Sequence, residues 1–389
     1  MPAQLSLGPA DDDMWQQYDH LATRSFGHPL ADIASLRPHA DLRVATRNGT
    51  VVAGGLGLLI PQYFGGSPLP SACLGAGCVA PEERGEHLAA TLMSERLRAL
   101  QDQGAVTASI WTAANGYARH LGFEAPMTTM AWSVTPDDLK RSFTADDYDV
   151  AFGLTPAAVR LQQDLAHRWH GPLQRPHWWP HWSIRRHSLS VYRFSRPGRP
   201  PTGVLGFAMT QSEQHDIHLA VHDFWTADQD TASAMLAFLG RQHRAALVEF
   251  RRNALPPSPL LLHNLHRYRP SARAWHPWML RILSIPKAVQ LRGWPPHLDL
   301  SIPIEVTDSS AGTTHTYLLH IQAGSAEIRP TSRAAQVSFT GRQFAVWFAG
   351  GYRSATTAHL SGVRCTSPQA LDAIIRSTTD REPWLPDQF

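Results

Sequence analysis

The dipeptide Asn48-Gly49, set between two apolar runs, constrains the fold of this chain more than any other feature. Both residues tolerate left-handed backbone, so the pair predicts a two-residue hairpin joining strands over Leu42 to Thr46 and Val51 to Ile60. The second run, VVAGGLGLLI, is apolar and glycine-rich, which suits a strand in the middle of a sheet. Other elements alternate around it. Ala10 to Phe26 has helical character, and Asp11 to Asp13 read as helix-start residues at the positive end of the dipole. Ser71 to Ala80 reads as a strand. Glu83 to Gln103 reads as a helix with Leu88, Leu92, Leu97 and Leu100 on or near one face. Val106 to Trp111 is a strand, Asn115 to Leu121 a short helix, and Thr128 to Val134 a final strand.

Proline and glycine clusters divide the 389 residues into three blocks, 1–135, 136–277 and 278–389. The second repeats the helix, strands, helix, strand logic of the first. It has a helix over Leu154 to His170, paired strands Ser188 to Phe194 and Thr202 to Gln211, a strand Ile217 to Trp225 and a helix Thr231 to His243. The third opens with Leu283 to Arg292. Strands follow at Leu298 to Thr307, His315 to Ile321 and Ala326 to Arg329, then helices at Thr340 to Phe348 and Pro368 to Arg376.

Several functional classes are disfavoured at once. The formal net charge is +3, with 35 basic against 32 acidic residues and no Lys/Arg-rich run, so no nucleic-acid partner is expected. No window approaches 18 consecutive apolar residues, so no membrane span is expected. Three cysteines, Cys73, Cys78 and Cys365, make neither a disulfide framework nor a zinc pattern. With no secretory signal at the start, these features predict a cytoplasmic protein.

Chemistry concentrates in Gly75 to Ala90, GAGCVAPEERGEHLAA. A strand runs into Val79-Ala80-Pro81, turns through Arg84-Gly85 and enters a helix. That order offers free backbone N–H groups and a helix dipole to an anion, and glycine lets a phosphate come close. The segment resembles the acetyl-CoA pyrophosphate loop of the GNAT N-acetyltransferases, Arg/Gln-x-x-Gly-x-Gly/Ala. Arg84 fits the first position and Ala89 the last, while His87 stands where the family has its central glycine. Asn115 to Glu124, NGYARHLGFE, is similar to the second GNAT signature and ends in Leu121-Gly122-Phe123. WMLRILSIPKAVQLRG (Trp278 to Gly293), Ile304 to Asp308 and the aromatic ending at Phe389 resemble the enhanced intracellular survival (Eis) acetyltransferases.

The resemblance implies an α/β (α+β) protein: tandem GNAT-fold domains with mixed central sheets, then a sterol-carrier-protein-like α/β domain. It also implies a hexamer that moves an acetyl group from acetyl-CoA to a primary amine of a small molecule. On this reading the pantetheine pairs with the strand around Gly77 and Val79. The pyrophosphate sits on the turn of Arg84, Gly85, His87, Leu88 and Ala89. The C-terminal carboxylate, here that of Phe389, is the base. The family's acid is a tyrosine four residues before the glycine of Gly-Phe. Here that position is Ala118, with Tyr117 one residue earlier and about 100° away around a helix.

Alternatives stand beside each assignment. His87 either points to solvent while its backbone binds phosphate, or narrows the slot for another donor. Tyr117 is a packing residue or an acid, and Phe389 a docked end or a base. The stretch His167 to His187 holds five histidines and four tryptophans. His177 and His181 have a helical metal-pair spacing, but Pro180 and the lack of a carboxylate or cysteine favour an aromatic wall, and no metal is expected. Gln388 stands where polyamine- or aminoglycoside-modifying relatives have Glu, which suggests a less cationic acceptor. Two rival readings are a GNAT site repurposed for another acyl donor or reaction, and a ligand-binding protein without activity.

Overall fold

In the computed structural model, which describes residues 5–85, 87–145, 147–257, 263–267, 269–308 and 312–389, Asn48 and Gly49 both take left-handed backbone, with φ of 52° and 80°. They close the expected hairpin. Beside β1 (Leu5–Pro9), β2 (Ala40–Arg47) pairs antiparallel with β3 (Thr50–Leu59). The intervening helix α1 (Asp12–Phe26) starts at Asp11, whose carboxylate accepts the Met14 N–H at 2.8 Å, so the acids do begin a helix. A short α2 (Ile33–Leu36) follows it. The small hairpin β4 (Gln62–Phe64) and β5 (Ser67–Leu69) leads to β6 (Ser71–Val79), which returns antiparallel to β3. Then come α3 (Leu88–Asp102), β7 (Thr107–Trp111), parallel to β6, and α4 (Asn115–His120).

Glycines in β3 are what let the helices lie close. A Cβ on Gly54 would stand 2.4 Å from the Tyr18 ring, one on Gly55 2.6 Å from the Arg96 guanidinium, and one on Gly57 2.6 Å from Leu100. The run VVAGGLGLLI is therefore central in the sheet, with large side chains of α1 and α3 seated in the space that missing side chains leave.

Two strands lie in sheets the sequence reading did not expect. Thr128 to Val134, read as the last strand of the first block, is β8 (Met130–Val134) of a separate seven-stranded sheet. The sixth strand of the first sheet is Trp278–Ile282, read as a junction, which pairs antiparallel with β7 from Trp278↔Trp111 to Ile282↔Thr107. The Trp278 indole donates to Ser109 Oγ at 2.9 Å, and Trp278, Met279 and Leu280 are fully buried. Local sequence makes both segments strands, but it cannot specify which distant edge each one joins.

The chain forms two compact units. One comprises Met1–Pro126, Trp278–Pro383 and Gln388–Phe389; the other comprises Met127–Pro277 and Trp384–Asp387. In the second unit β8 is joined by β9 (Asp149–Phe152), β10 (Ser190–Ser195), β11 (Pro201–Gln211), β12 (Ile217–Thr226), β13 (Ala245–Phe250) and β14 (Ser271–Ala274) in the order β14-β8-β13-β12-β11-β10-β9. Only β12 and β13 are parallel, so the sheet is mixed like the first. Helices α5 (Pro136–Ser142), α6 (Pro156–Ala166), α7 (Trp179–His187) and α8 (Gln229–Gly240) belong to the same unit. Its core gathers Phe194, Phe207, Phe224, Met235 and Phe250.

In the first unit, β15 (Trp278–Ile282) is followed by β16 (Asp299–Asp308), β17 (Thr313–Gln322), β18 (Ser325–Pro330), β19 (Val337–Thr340) and β20 (Arg364–Cys365). The last five form a sheet ordered β18-β17-β16-β19-β20. Trp347 fills its interior, 5.8 Å from both Phe339 and Trp294 and 5.0 Å from Phe344. No described helix is long and apolar enough to cross a membrane.

Candidate active site

The parallel strands β6 and β7 stay paired for only four residues, from Ser71↔Thr107 to Leu74↔Ile110. Beyond Leu74, β6 continues to Val79 with β3 on one side and no strand partner on the other. Two residues, Ala76 and Gly77, stand opposite the single Gly55 of β3, which makes a bulge, and Ala76 takes φ of +49°. Gly75 and Ala76 are half-buried and Gly77 is exposed, while Leu74 and Cys78 are buried. The diverging strands thus open a slot lined by backbone.

Two buried side chains fix that backbone, one from each face of the sheet. Tyr18, with no exposure, donates its hydroxyl to the Ala76 carbonyl at 2.6 Å. Arg96 of α3, 3% exposed, donates from Nη2 to the Gly75 carbonyl at 2.8 Å and to the Leu56 carbonyl. Gly75 also meets Phe389: a Cβ built there would lie 3.0 Å from its carboxyl carbon and 3.1 Å from its oxygen. Gly77 and Val79 lie on the same unpaired edge.

The turn after β6 leads into the N-terminus of α3. Arg47 and Arg24 pair with Glu83 and Glu82 at 2.8 and 2.9 Å, pinning the turn's first residues. Arg84 is exposed, and Gly85 takes φ of +99°. His87 is the N-cap of α3 with φ of +56°, so it holds the left-handed backbone for which glycine is favoured, while its ring is exposed. The first bonds of α3 run from Ala90 and Thr91 N–H to the His87 carbonyl, at 3.0 and 3.2 Å. The N–H groups of Leu88 and Ala89 precede that ladder at the open end of the helix. Glu86 lies outside the described residues.

Tyr117 packs against the core cluster that holds Leu74 and Ile110, the last paired residues of β6 and β7. Its hydroxyl donates to the Ala89 carbonyl at 2.8 Å, tying α4 to the first turn of α3. Burial pushes its pKa up to about 12, against the pull of the Arg96 charge, so it keeps its proton through the neutral range. Ala118 is fully buried in the core with Leu97, Leu121 and Phe123. The sequence reading missed Arg96, Tyr18 and Ala76. Arg96 had a signal, since it lies four residues after Leu92 and four before Leu100 on the apolar face of α3.

In the second unit the equivalent strand-to-helix turn is closed. Asp228 caps α8 and accepts the Thr231 N–H at 2.8 Å, so a carboxylate already occupies the anion end of that helix. His177 precedes α7, which begins at Trp179, and Pro180 sits in its first turn, where a missing N–H is tolerated. His177 and His181 are therefore not one turn apart on a helix, and no group of three metal-ligating side chains exists among the described residues. The tryptophans pack: Trp179 lies 4.9 Å from Trp182, and Trp169 joins Phe224, Trp225 and Trp384 around a cavity of about 260 Å³.

Arg175 of the same segment is buried between two carboxylates, at 2.6 Å from Asp223 and 2.7 Å from Asp387. Burial alone would raise Asp223, but the charge and hydrogen bonds of Arg175 hold it below the usual carboxylate range. At Asp387 burial prevails and the pKa lies above that range.

Comparison with known proteins divides the chain into three matched segments. An acetyltransferase (GNAT) domain profile matches residues 7–125, a second acetyltransferase (GNAT) profile matches 171–282, and a sterol carrier protein domain profile matches 285–386. N-acetyltransferase Eis of Mycobacterium tuberculosis is 25% identical over 392 residues, covering 94% of this chain and 89% of that protein. The chain belongs to the Eis-like GNAT N-acetyltransferases.

This Eis-like acetyltransferase shares its fold with a GCN5-related N-acetyltransferase from Anabaena variabilis, at TM-score 0.88 and 20% identity over 99% of this chain and 100% of the other. Eis1 from Mycobacterium abscessus superimposes at TM-score 0.76 with 16% identity, over 99% of this chain and 100% of that one. The tandem GNAT domains with mixed sheets and the terminal sterol-carrier-like domain expected from the sequence are therefore present.

Proposed function

We propose that the first GNAT domain transfers an acetyl group from acetyl-CoA to a primary amine of a small molecule, with the Phe389 carboxylate as base. The observation that carries this reading is the contact of the Phe389 carboxyl group with Gly75, where β6 and β7 part. Acetyl-CoA would lay its pyrophosphate on the N–H groups at Leu88 and Ala89, beside Arg84 and Gly85. His87 holds a left-handed backbone that glycine adopts readily, which supports retention of the donor. The pantetheine amides would pair with the free edge of β6 at Gly77 and Val79, as an added strand pairs with a sheet edge.

An alkyl amine is protonated at neutral pH, with a pKa of about 10, and must reach the site as the free base. Once its nitrogen bonds to the thioester carbon it becomes strongly acidic, so even a carboxylate of ordinary basicity can take the proton. A group positioned for that transfer contributes roughly 10²–10⁴-fold. Tyr117 holds the first turn of α3 through Ala89, and a role as acid would require its proton to leave that carbonyl. Asp387 is committed to Arg175 and to the Leu173 N–H, and Gln388 is neutral, so the residues before Phe389 favour an acceptor with few positive charges. By family resemblance the protein would work in the cytoplasm as a hexamer, which sedimentation equilibrium would test.

The direct test follows thiol release from acetyl-CoA over a panel of primary amines, using the native chain, a chain lacking Phe389 and one extended by a single glycine. The reading requires a loss of about 100-fold or more in both altered chains with acetyl-CoA affinity retained. Undiminished turnover in either would overturn the carboxylate mechanism.

A further inference from the structure

Arg96 is a buried cation that makes no salt bridge among the described residues, the charge of Asp41 reaching it only from beyond contact distance. It is 3% exposed, and no carboxylate lies within salt-bridge distance of it among the described residues. Its two protein acceptors, the carbonyls of Leu56 and Gly75, are both neutral and both bound by Nη2. Nε is buried without a hydrogen-bond partner, and Nη1 donates to no protein atom among the described residues. Burying such a charge is costly unless something negative arrives to meet it. Its surroundings include the hydroxyls of Tyr18 and Tyr117 and the Cys78 thiol, all of which burial keeps protonated. None of them supplies the missing charge.

The position of this group along α3 is informative. Arg96 is eight residues beyond Leu88, or about 12 Å along the helix from the turn proposed for the pyrophosphate. The guanidinium therefore lies beneath the far end of the slot. Nη1 is 3.1 Å from where a Cβ on Gly77 would be, and Gly77 is the exposed position of the bulge. A side chain there would crowd the guanidinium from the slot side. Phe389 stands on the neighbouring Gly75.

We propose that Arg96 is a catalytic residue that stabilises the thiolate leaving group of CoA. The inference rests on the acyl-transfer reading above. Amine nitrogen bonds to the thioester carbon, and the carbonyl electron pair moves to oxygen. The C–S bond then breaks as C=O re-forms, and its electron pair stays on sulfur. The nitrogen's proton goes to the Phe389 carboxylate, and the sulfur leaves as a thiolate hydrogen-bonded to the guanidinium, later taking a proton from water. The products are amide and CoA thiol. Charge thus develops on sulfur beside a preorganised cation in a dry site, where such an interaction is strongest. With Ala118 apolar and the Tyr117 proton on Ala89, the described residues place no other donor behind Gly77.

The test uses CoA itself and needs no acceptor. The thiol of CoA bound to the full protein is titrated by thiolate ultraviolet absorbance, with the desulfo-CoA complex subtracting the protein's own thiols. A cation at hydrogen-bond distance lowers the bound thiol's pKa by about 1–3 units, and Arg96→Met restores the free value. Arg96→Lys, which keeps the charge and loses the fork, is expected to fall between. If Arg96→Met does not fold by circular dichroism, the native complex alone decides. CoA that binds with an unshifted thiol pKa, or a shift that survives in a folded Arg96→Met protein, overturns the proposal for Arg96 and leaves the acyl-transfer reading standing. Failure of the native protein to bind CoA by calorimetry overturns both.

Discussion

Gly75 and Phe389 meet without a side chain between them: a methyl group on Gly75 would lie 3.0 Å from the carboxyl carbon of Phe389. Contact that tight requires one partner to give way. Gly75→Ala is therefore expected to shift the carboxylate by a few tenths of an ångström and slow acetyl transfer by about tenfold, with acetyl-CoA affinity unchanged. Steady-state kinetics beside calorimetry would separate the two. An unaltered kcat would mean that the carboxylate is not the base.

His87 bears a left-handed backbone that costs a residue with a Cβ about 1–2 kcal/mol. Replacing it by glycine relieves that strain, less the extra entropy of glycine in the unfolded chain, for a net gain of about 0.5 kcal/mol. His87→Gly should bind acetyl-CoA at least as tightly, whereas His87→Val should bind it several-fold more weakly. Tighter binding by the valine protein would contradict a backbone role for this position.

Tyr117→Phe removes one hydrogen bond to Ala89 and should cost about 1 kcal/mol in thermal unfolding. If the tyrosine only braces the first turn of α3, the donor KM rises and kcat changes less than threefold. A fall of about 100-fold in kcat at unchanged KM would instead identify it as the acid.

His187 and His222 stack 4.3 Å apart in the second unit. Burial, then the charge of His222 and nearby arginines, lowers His187 to about 3, and burial with nearby arginines, against the pull of Asp223, lowers His222 to about 4. The unfolded value is about 6.5, so the neutral rings stabilise the fold fully above about pH 6.5. That contribution is lost as pH falls from 6.5 towards about 4, at roughly 1.4 kcal/mol per pH unit for each ring. Urea midpoints at neutral and acid pH should diverge in the native protein and draw together in His222→Leu. Equal acid sensitivity in both would rule the pair out.

Arg175→Met leaves Asp223 and Asp387 buried without their cation and should lower stability by about 3–5 kcal/mol. Asp387→Asn keeps one pair and should cost less. If calorimetric unfolding ranked them the other way, the guanidinium would not be the centre of the network.

What the sequence disclosed was what local chemistry controls. Asn48-Gly49 closes its hairpin because both residues accept positive φ, and Asp11 caps α1 because an aspartate there can reach an amide three residues on. The turn at Arg84-Gly85 was legible through its glycine, but the helix read from Glu83 begins only at Leu88. Two kinds of feature were not legible. The bulge at Ala76 has no local mark, since alanine does not favour the left-handed backbone it adopts there. The partners of β8 and β15 depend on sheet edges far away in sequence. Arg96 was visible as a letter but hidden as a role. A charged residue amid Leu88, Leu92, Leu97 and Leu100 looks like the margin of an apolar face until Gly55 and Gly77 show how deep it lies.

The first sheet takes its sixth strand from residues 278–282, after more than 150 residues that belong to another unit. A stop codon anywhere before codon 283 therefore strips an edge strand from a domain whose other strands were all encoded by codon 111. Gene fusion and fission cannot trade this acetyltransferase domain as a cassette, and a ribosome has not finished it until it has translated the whole of the other unit's inserted segment.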